Sequence, residues 1–536
     1  MQRRKFLKRT ATLATGAILV GSGMSPVRAQ SRNTTLRALG SGAPNTLDPQ
    51  APTGIDRPAQ AIIENTTDRL VRFGTKIGDN GVAHYDYYKI DPELAESWQW
   101  AANGTSITFK IRRDATFHDG SPVTAHDAKW SLDRAVTQPS TRGQLKAGSM
   151  EKPEQFVVVD DYTLRVDVPR RDNRLVPDLC HPYASISNSK LAKQHATADD
   201  PWATNWLKAN AAGGGAYRIE SLKPDEEVIL VRNNAWKSGP RPYFERVIYQ
   251  VVPEATNRRA LIQRGSADVA LDLTPKDAND LEREGKVAIL SVPAINGFEF
   301  IGMTNSKKPF DNVKVRQAIG YALPYKKMFD AAILGRGRAL YGGPAGKPAS
   351  IDWPSPFPYD TSQEKAKALL AEAGLGGGFE VPFAYEVAHA AVAEPLAILM
   401  QEALGAIGIR VTIEKWQGAQ MSGALEKHDI AFYYQRSSAW LNDPVYAFEI
   451  FYQGDWRWNL GHLKSPELDG LIKSARFETD DAKYRAMCIR MKEIAFEQLP
   501  TMMLWQPYND VAAGKDIKGY RYMPHRQLDF RPMMRA

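Results

Sequence analysis

The spacing of hydrophobic positions changes along this chain between two periods, which predicts a mixed α/β protein. Runs rich in Val, Ile, Phe and Tyr, bounded by turn residues, predict strands. These strands are expected at residues 106–112, 156–159, 163–168, 228–232, 246–252 and 297–303. Apolar residues that recur every three or four positions predict helices. These helices are expected at residues 124–136, 254–264, 313–323, 362–373, 394–407 and 481–498.

Two segments repeat the order helix, glycine, strand. The helix at 394–407 ends at Gly408, and an alternating strand follows at 409–414. A helix that ends at 373 is likewise followed by Gly374 and by a strand at 379–385. Glycine after the last periodic residue is a typical helix end. Such units favour a sheet covered by helices.

The N-terminus predicts export. Arg3 and Arg4 precede an apolar run at 11–24 that is broken by small residues, and Ala29 completes a plausible cleavage site. This pattern is typical of a signal peptide at 1–29 rather than a membrane span. The paired arginines followed by Phe-Leu-Lys resemble a twin-arginine signal, and an ordinary secretory leader is the alternative. Either route predicts a protein located in the periplasm.

The basic excess of the chain comes mainly from this leader. The full chain has 69 Lys and Arg residues against 61 acidic residues. Six of the basic residues lie in 1–29, so 63 remain against 61 in the mature chain. A balance near neutrality, without a long basic run, does not favour nucleic acid as a partner. A mature chain of this length predicts two or three domains.

Cysteine and histidine usage gives little sign of a structural metal. Cys180 and Cys488 are about three hundred residues apart, and we expect them not to form a disulfide. His118 lies in a Phe-His-Asp-Gly turn before Thr124, and we expect it to be structural. Thr124 with Asp127 three residues later predicts a helix N-terminus with a capping box.

Several blocks in order resemble one protein family. They include Leu-Ala-Glu-Ser-Trp at 94–98, Ile-Thr-Phe-Lys-Ile-Arg at 107–112 and the run Phe-His-Asp-Gly-Ser-Pro-Val-Thr-Ala-His-Asp-Ala at 117–128. Gly-Ala-Tyr-Arg-Ile at 215–219 and Val-Arg-Gln-Ala-Ile at 315–319 follow. Together they resemble the extracellular solute-binding proteins of the oligopeptide, dipeptide and nickel ABC importers.

The resemblance implies a two-lobed periplasmic binding protein of the α/β class, a Venus flytrap with an inserted subdomain. Lobe I would comprise residues 30–76, 210–290 and 505–536, the inserted subdomain 77–209, and lobe II 291–504. A peptide, a peptide-like compound or another small organic solute would bind between the lobes and close them. The implied partners are an ABC permease and its ATPase in the inner membrane. We expect a monomer with no cofactor and no catalytic residues.

The segment 430–458 is the best candidate for the solute site. It is rich in aromatic residues, and its alternating start suits a strand that faces the cleft. Aromatic faces exclude water and stack on flat or cyclic solutes. The candidate ligand-binding residues are Trp440, Asn442, Asp443, Tyr434, Ser438, Trp416, Thr53, Gly54 and Glu386.

The resemblance also implies a difference from dipeptide binders. Those proteins place an Asp three residues before an Asp-Pro-like pair to bind the ligand ammonium, and here that position holds Trp440. The position implied for an Arg that binds the ligand carboxylate holds Val387, beside Glu386. Burial of a charged group without a partner costs several kcal/mol, so free dipeptides are not favoured. Longer peptides, opine-like conjugates, oligosaccharides and aromatic compounds stay open.

Two other classes of function are alternatives to solute binding. An exported hydrolase would need a nucleophile motif or a metal motif, and neither Gly-x-Ser-x-Gly nor His-Glu-x-x-His occurs. A metal-chelate binder is the stronger alternative, with His389, His428 and His462 as its candidate ligands.

Overall fold

The computed structural model describes residues 32–52, 56–526 and 528–536, so the predicted signal peptide lies outside the described residues. Strands in these ranges are numbered in chain order. They are β1 (Thr35–Gly40), β2 (Val71–Ile77), β3 (Ala83–Pro92), β4 (Ala95–Trp100), β5 (Ser106–Ile111), β6 (Phe156–Asp160), β7 (Thr163–Asp167), β8 (Tyr217–Lys223), β9 (Glu227–Arg232), β10 (Arg246–Val251), β11 (Val269–Ala270), β12 (Ala288–Pro293), β13 (Gly297–Met303), β14 (Gly337–Ala339), β15 (Phe379–Glu386), β16 (Ile409–Trp416), β17 (Phe432–Ser438), β18 (Thr501–Ala513), β19 (Ile517–Lys518), β20 (Arg521–Tyr522) and β21 (Met534–Arg535).

The helices lie mainly between the strands of the large sheet and in the inserted range. They are α1 (Arg57–Thr66), α2 (Ala125–Thr137), α3 (Arg142–Leu145), α4 (Leu175–Asp178), α5 (Ser189–Lys193), α6 (Thr204–Leu207), α7 (Ala255–Gln263), α8 (Pro275–Glu284), α9 (Val313–Ala322), α10 (Tyr325–Ile333), α11 (Gln363–Glu372), α12 (Ala390–Gly405), α13 (Gly418–Glu426), α14 (Pro444–Tyr452), α15 (Pro466–Ala475) and α16 (Asp481–Gln498). Every predicted strand and helix is confirmed, with ends that differ by a few residues at most sites.

A capping box explains where α2 begins. At the start of α2, the Asp127 carboxylate accepts hydrogen bonds from the Thr124 backbone N–H at 3.0 Å and from its hydroxyl at 2.7 Å. This arrangement satisfies donors that the first helical turn leaves free. The His118 Nε2–H donates to the Gly215 carbonyl, 3.0 Å away, and burial lowers the pKa of His118. His118 therefore contacts the backbone of the fold, which agrees with the structural role expected from the sequence.

One large mixed sheet runs through both predicted lobes. Its strand order is β16-β15-β17-β13-β18-β11-β1-β10-β9-β8, and β12 and β14 also pair with β18. The first part of β18 pairs with β13, whereas the part from Tyr508 onward pairs with β12. The chain therefore crosses between the two halves at the link 294–296 and near Pro507. The lobe boundaries given from the sequence stay a prediction.

The inserted range contains its own antiparallel sheet, in the order β4-β5-β7-β6, with α2 packed against it. Its buried residues belong to the same hydrophobic cluster as those of β13 and β17. A separate cluster surrounds β1, β9 and β10 in the range predicted as lobe I. The inserted range and the range predicted as lobe II therefore pack directly on each other.

One described segment, Val387–Gly405, has a mean hydropathy of 1.2 over a membrane-length window. Within it, Leu396, Met400 and Leu404 are fully buried, and α12 packs against α10 and β16. Glu394 in the same helix forms an ion pair of 2.8 Å with Lys415. These contacts show that the segment forms a helix that packs against the sheet of the folded domain.

Cys180 and Cys488 are both buried and are not bonded to each other, as expected from their separation. Burial raises the pKa of the Cys488 thiol to about 12 and raises the pKa of the Cys180 thiol well above its ordinary value. Neither thiol is therefore activated as a nucleophile.

Candidate solute-binding site

A polar cavity of about 420 Å³ lies where the two halves of the large sheet meet. Asp56 and Arg57 at the start of α1 line it from the range predicted as lobe I, and Tyr522 and His525 add the C-terminal segment. The end of β17, from Arg436 to Ser438, lines the opposite wall. The volume falls within the range of small-molecule sites, about 300–1,000 Å³.

The charge on the β17 wall is set by an ion pair between a half-buried arginine and a buried carboxylate. Glu299 on β13 lies directly opposite Arg436 on β17 in the antiparallel register, and their side chains form an ion pair of 3.3 Å. The other Glu299 oxygen accepts hydrogen bonds from the Tyr434 hydroxyl and the Trp505 indole N–H, both at 2.7 Å. Cross-strand neighbours of opposite charge stabilise a sheet, and these bonds compensate for the burial of the carboxylate.

A second cavity of about 470 Å³ adjoins the first. Residues 139–147 of the inserted range form one wall, and the other carries Trp440, Phe451, Trp456 and Trp458. We call this space the aromatic cavity. Arg436, Ser437, Ser438 and His525 line both cavities, so the two spaces meet at the end of β17.

Trp440 joins lobe II to two other parts of the chain. Its ring lies 3.7 Å from the His525 ring, measured between centroids. It also makes edge contacts with His181 at 5.2 Å and Tyr183 at 5.3 Å. Burial lowers the pKa of His181 well below its ordinary value, so this ring is neutral. The indole is half-buried and lines the aromatic cavity.

Asp443 has a structural environment. Its carboxylate caps α14 by accepting from the Tyr446 backbone N–H at 2.6 Å. It also pairs with Arg174 of the inserted range at 2.9 Å, and Arg174 reaches Glu449 at 2.7 Å. These bonds connect the inserted range to α14, and they leave Asp443 outside the lining of both cavities.

The remaining predicted site residues separate into those that line a cavity and those that do not. Ser438 lines both cavities. Tyr434 lines neither cavity, because its side chain is buried in the core and its hydroxyl donates to Glu299. Asn442, Trp416 and Glu386 line neither cavity, and the Trp416 indole N–H donates to Glu414 at 3.2 Å. Thr53 and Gly54 lie outside the described residues.

The three candidate metal ligands do not converge. His389 lines the polar cavity, where burial and the nearby Arg436 lower its pKa to about 4. His428 and His462 stack face to face, with centroids 4.1 Å apart and planes 5° apart. Nitrogen lone pairs lie in the ring plane, so two stacked rings hold them in separate parallel planes. Within the described ranges, no group of three or more metal-ligating side chains is found.

Sequence reasoning missed Arg436 and Glu299. Glu299 is the only charged residue in the strand 297–303, every position of which is buried. An acid in such a run is a signal that a partner must lie on a neighbouring strand. The partner itself depends on the register between β13 and β17, which single-strand patterns do not specify.

Two lobes around a polar cavity define a solute-binding protein of the periplasmic type, and comparison with known proteins specifies the family. The sequence model for bacterial extracellular solute-binding proteins, family 5, matches residues 89–459. The chain belongs to this family.

Similar curated proteins include the probable D,D-dipeptide-binding periplasmic protein of Escherichia coli, 27% identical over 488 residues and 90% of both chains. Heme-binding protein A of Haemophilus influenzae is 30% identical over 408 residues, which is 70% of each chain. Among solved structures, the putative peptide-binding protein AppA from Clostridium difficile matches with a TM-score of 0.79, 18% identity and coverage of 94% and 100%. These likenesses confirm the two-lobed α/β fold and the family predicted from the sequence.

Proposed function

We propose that this protein captures a peptide, a peptide-like compound or another small organic solute between its lobes. It then delivers the solute to the permease and ATPase of an ABC importer. The observation that carries the proposal is the polar cavity, which residues of both sheet halves line from opposite sides. A solute held there would contact both halves and stabilise their closed arrangement. Membership of an extracellular solute-binding family supports this assignment.

The names of the similar proteins include peptide, glutathione and heme binders. This range supports solute capture without fixing one ligand. We infer that no bond is made or broken in the cleft, because the proposed role needs only reversible binding.

We also propose that export places the mature chain in the periplasm through the twin-arginine route. The support is the Arg3-Arg4 pair before the apolar run at 11–24. Replacing both arginines by lysine in the full-length chain should prevent export, while a control protein with an ordinary secretory leader is still exported. Unchanged export of the variant would contradict the twin-arginine route.

Solute binding is tested by thermal unfolding of the mature chain with a panel of peptides, opines, sugars, aromatic acids and nickel chelates. A ligand at one hundred times its Kd adds about 2.7 kcal/mol of stability. For a chain of this size, with an unfolding entropy of about 2.1 cal/mol/K per residue, this should raise Tm by roughly 2 to 3 °C. If no member of any class raises Tm, solute capture by the isolated protein is contradicted.

A further inference from the structure

The two cavities share one short wall, residues 436–438 at the end of β17. Arg436 and Ser438 line both the polar cavity and the aromatic cavity, so the two spaces adjoin at this segment. A single elongated solute can therefore occupy both spaces while it contacts this segment. Its two ends would meet surfaces of different chemistry.

Arg436 is fixed in position by its partner. Its Nε lies 3.3 Å from Glu299, which is itself buried and bound by Tyr434 and Trp505. The Arg436 side chain is nevertheless 34% exposed, and among the described residues Glu299 is its only ion-pair partner. Guanidinium carries five N–H donors in a rigid fork that matches a carboxylate. Donors not directed at Glu299 are available to oxygen atoms of a solute.

Other charged residues that line the two cavities also have partners. Glu449, in the aromatic cavity, pairs with Arg174 at 2.7 Å. Arg57, on the opposite wall of the polar cavity, pairs with Asp272 at 3.4 Å, and Asp56 accepts from Asn45 at 3.0 Å. Among the described residues, Arg436 is the one arginine or lysine that lines both cavities, which places its guanidinium where an anionic group could contact either space.

The aromatic cavity offers a surface for the other end of a solute. Trp456 and Trp458 stand at its rim, and Trp458 is 46% exposed, which is unusual for such a large apolar side chain. Trp440 and Phe451 line the same space. Exposed aromatic groups around a concavity typically mark a binding site.

We propose that the solute is an amphiphilic organic acid whose carboxylate binds Arg436 and whose aromatic or apolar group occupies the aromatic cavity. This inference rests on the proposed function and specifies its solute class. Arg436 selects for the anion, and Trp458 with its neighbours selects for the apolar group. A neutral sugar or a small acid without an apolar group would satisfy only one of the two surfaces.

Three related probes test the assignment by calorimetry on the mature chain. They are N-acetyl-L-phenylalanine, its C-terminal amide, which removes the charge, and N-acetylglycine, which removes the ring. We expect the aromatic acid to bind at least about tenfold more tightly than either of the other two, since about 1.4 kcal/mol corresponds to a factor of ten. Equal binding of acid and amide, or no binding of any probe, would overturn the proposal.

Two substitutions test which residue selects the carboxylate and which selects the aromatic ring. Arg436→Gln should abolish the preference for acid over amide, whereas Arg410→Gln, at an exposed position on β16, should preserve it. Trp458→Ala should reduce the preference for the ring, whereas Ile398→Ala, on the exposed side of α12, should not. An unchanged acid preference in Arg436→Gln overturns the role of Arg436.

Removal of Arg436 alone leaves Glu299 buried without its cation, and the variant could fail to fold. The double variant Glu299→Gln with Arg436→Gln retains a polar pair and removes both charges. It should fold, bind N-acetyl-L-phenylalanine no better than the amide, and give the same result as the single variant. If a neutral solute instead raises Tm and binds in the cleft, the proposed function stands and the acid assignment fails.

Discussion

Arg174 connects the inserted range to lobe II, and its replacement should measurably weaken the folded chain. Its buried guanidinium donates to Asp443 at 3.0 Å and to Glu449 at 2.7 Å. Arg476 makes a reciprocal connection to Asp172 at 3.1 Å. The nearby carboxylates raise the pKa of Arg174 despite its burial, so it is charged at every accessible pH.

The variant Arg174→Gln leaves two carboxylates without their main cation. Removal of one partner from a buried ion pair costs about 3–5 kcal/mol. Here Asp443 keeps its bond from the Tyr446 N–H, and Glu449 keeps Arg476 at 3.6 Å. The Asp443 side chain is also 18% exposed and the Glu449 side chain 13% exposed, so water partly solvates both carboxylates. We therefore expect a loss near the lower limit, about 3 kcal/mol, or roughly a hundredfold in the unfolding equilibrium.

Urea unfolding followed by tryptophan fluorescence measures this loss. The matched control is Arg165→Gln in the same inserted range, whose pair with Asp167 is largely exposed. Exposed pairs contribute little to stability, so the control should resemble the native chain. A loss in Arg174→Gln no larger than that of the control would refute the reasoning.

Three further results are expected. Trp440→Ala should weaken solute binding about tenfold by calorimetry, without unfolding the chain, if the indole contacts the solute; unchanged affinity would remove Trp440 from the site. Burial raises the pKa of Asp178 to about 8, so the folded chain retains a proton that the unfolded chain loses near pH 4. The free energy of unfolding should therefore fall as pH rises from about 4 to 8, and urea titrations should show a weaker fall in Asp178→Asn. The same pH dependence in the native chain and the variant would contradict this. EDTA should leave Tm unchanged, and a decrease would indicate a bound metal.

The sequence predicts elements whose pattern is uniform along their length. The strand β13 coincides with the predicted range 297–303, because all of its residues are apolar or small except Glu299. The helix α16 likewise coincides with 481–498. The long strand β18 was not predicted, because it contains Pro507 and changes its pairing partner there. Proline in a run argues against a strand when only the sequence is considered.

The sequence predicts a solute site in the segment 430–458, but it does not predict which side chains line the two cavities. Tyr434 was expected to face the cleft, but the first three residues of β17 are all buried, so both faces of the strand are covered there. In a strand buried on both faces, alternation does not reveal the face toward a cleft. The polar end of β17 reaches the cavity instead. Its pairing with Glu299 depends on long-range register, which no local pattern contains.

Closure of two lobes around a solute is the central claim, and small-angle scattering measures it most directly. The mature chain should be recorded alone and with a saturating solute that raises its Tm. We expect the bound solute to reduce the radius of gyration or to narrow the distribution of interlobe distances, and we expect the same solute to be recovered unchanged. A bound solute that leaves the scattering unaltered, or that is chemically converted during the measurement, would contradict it.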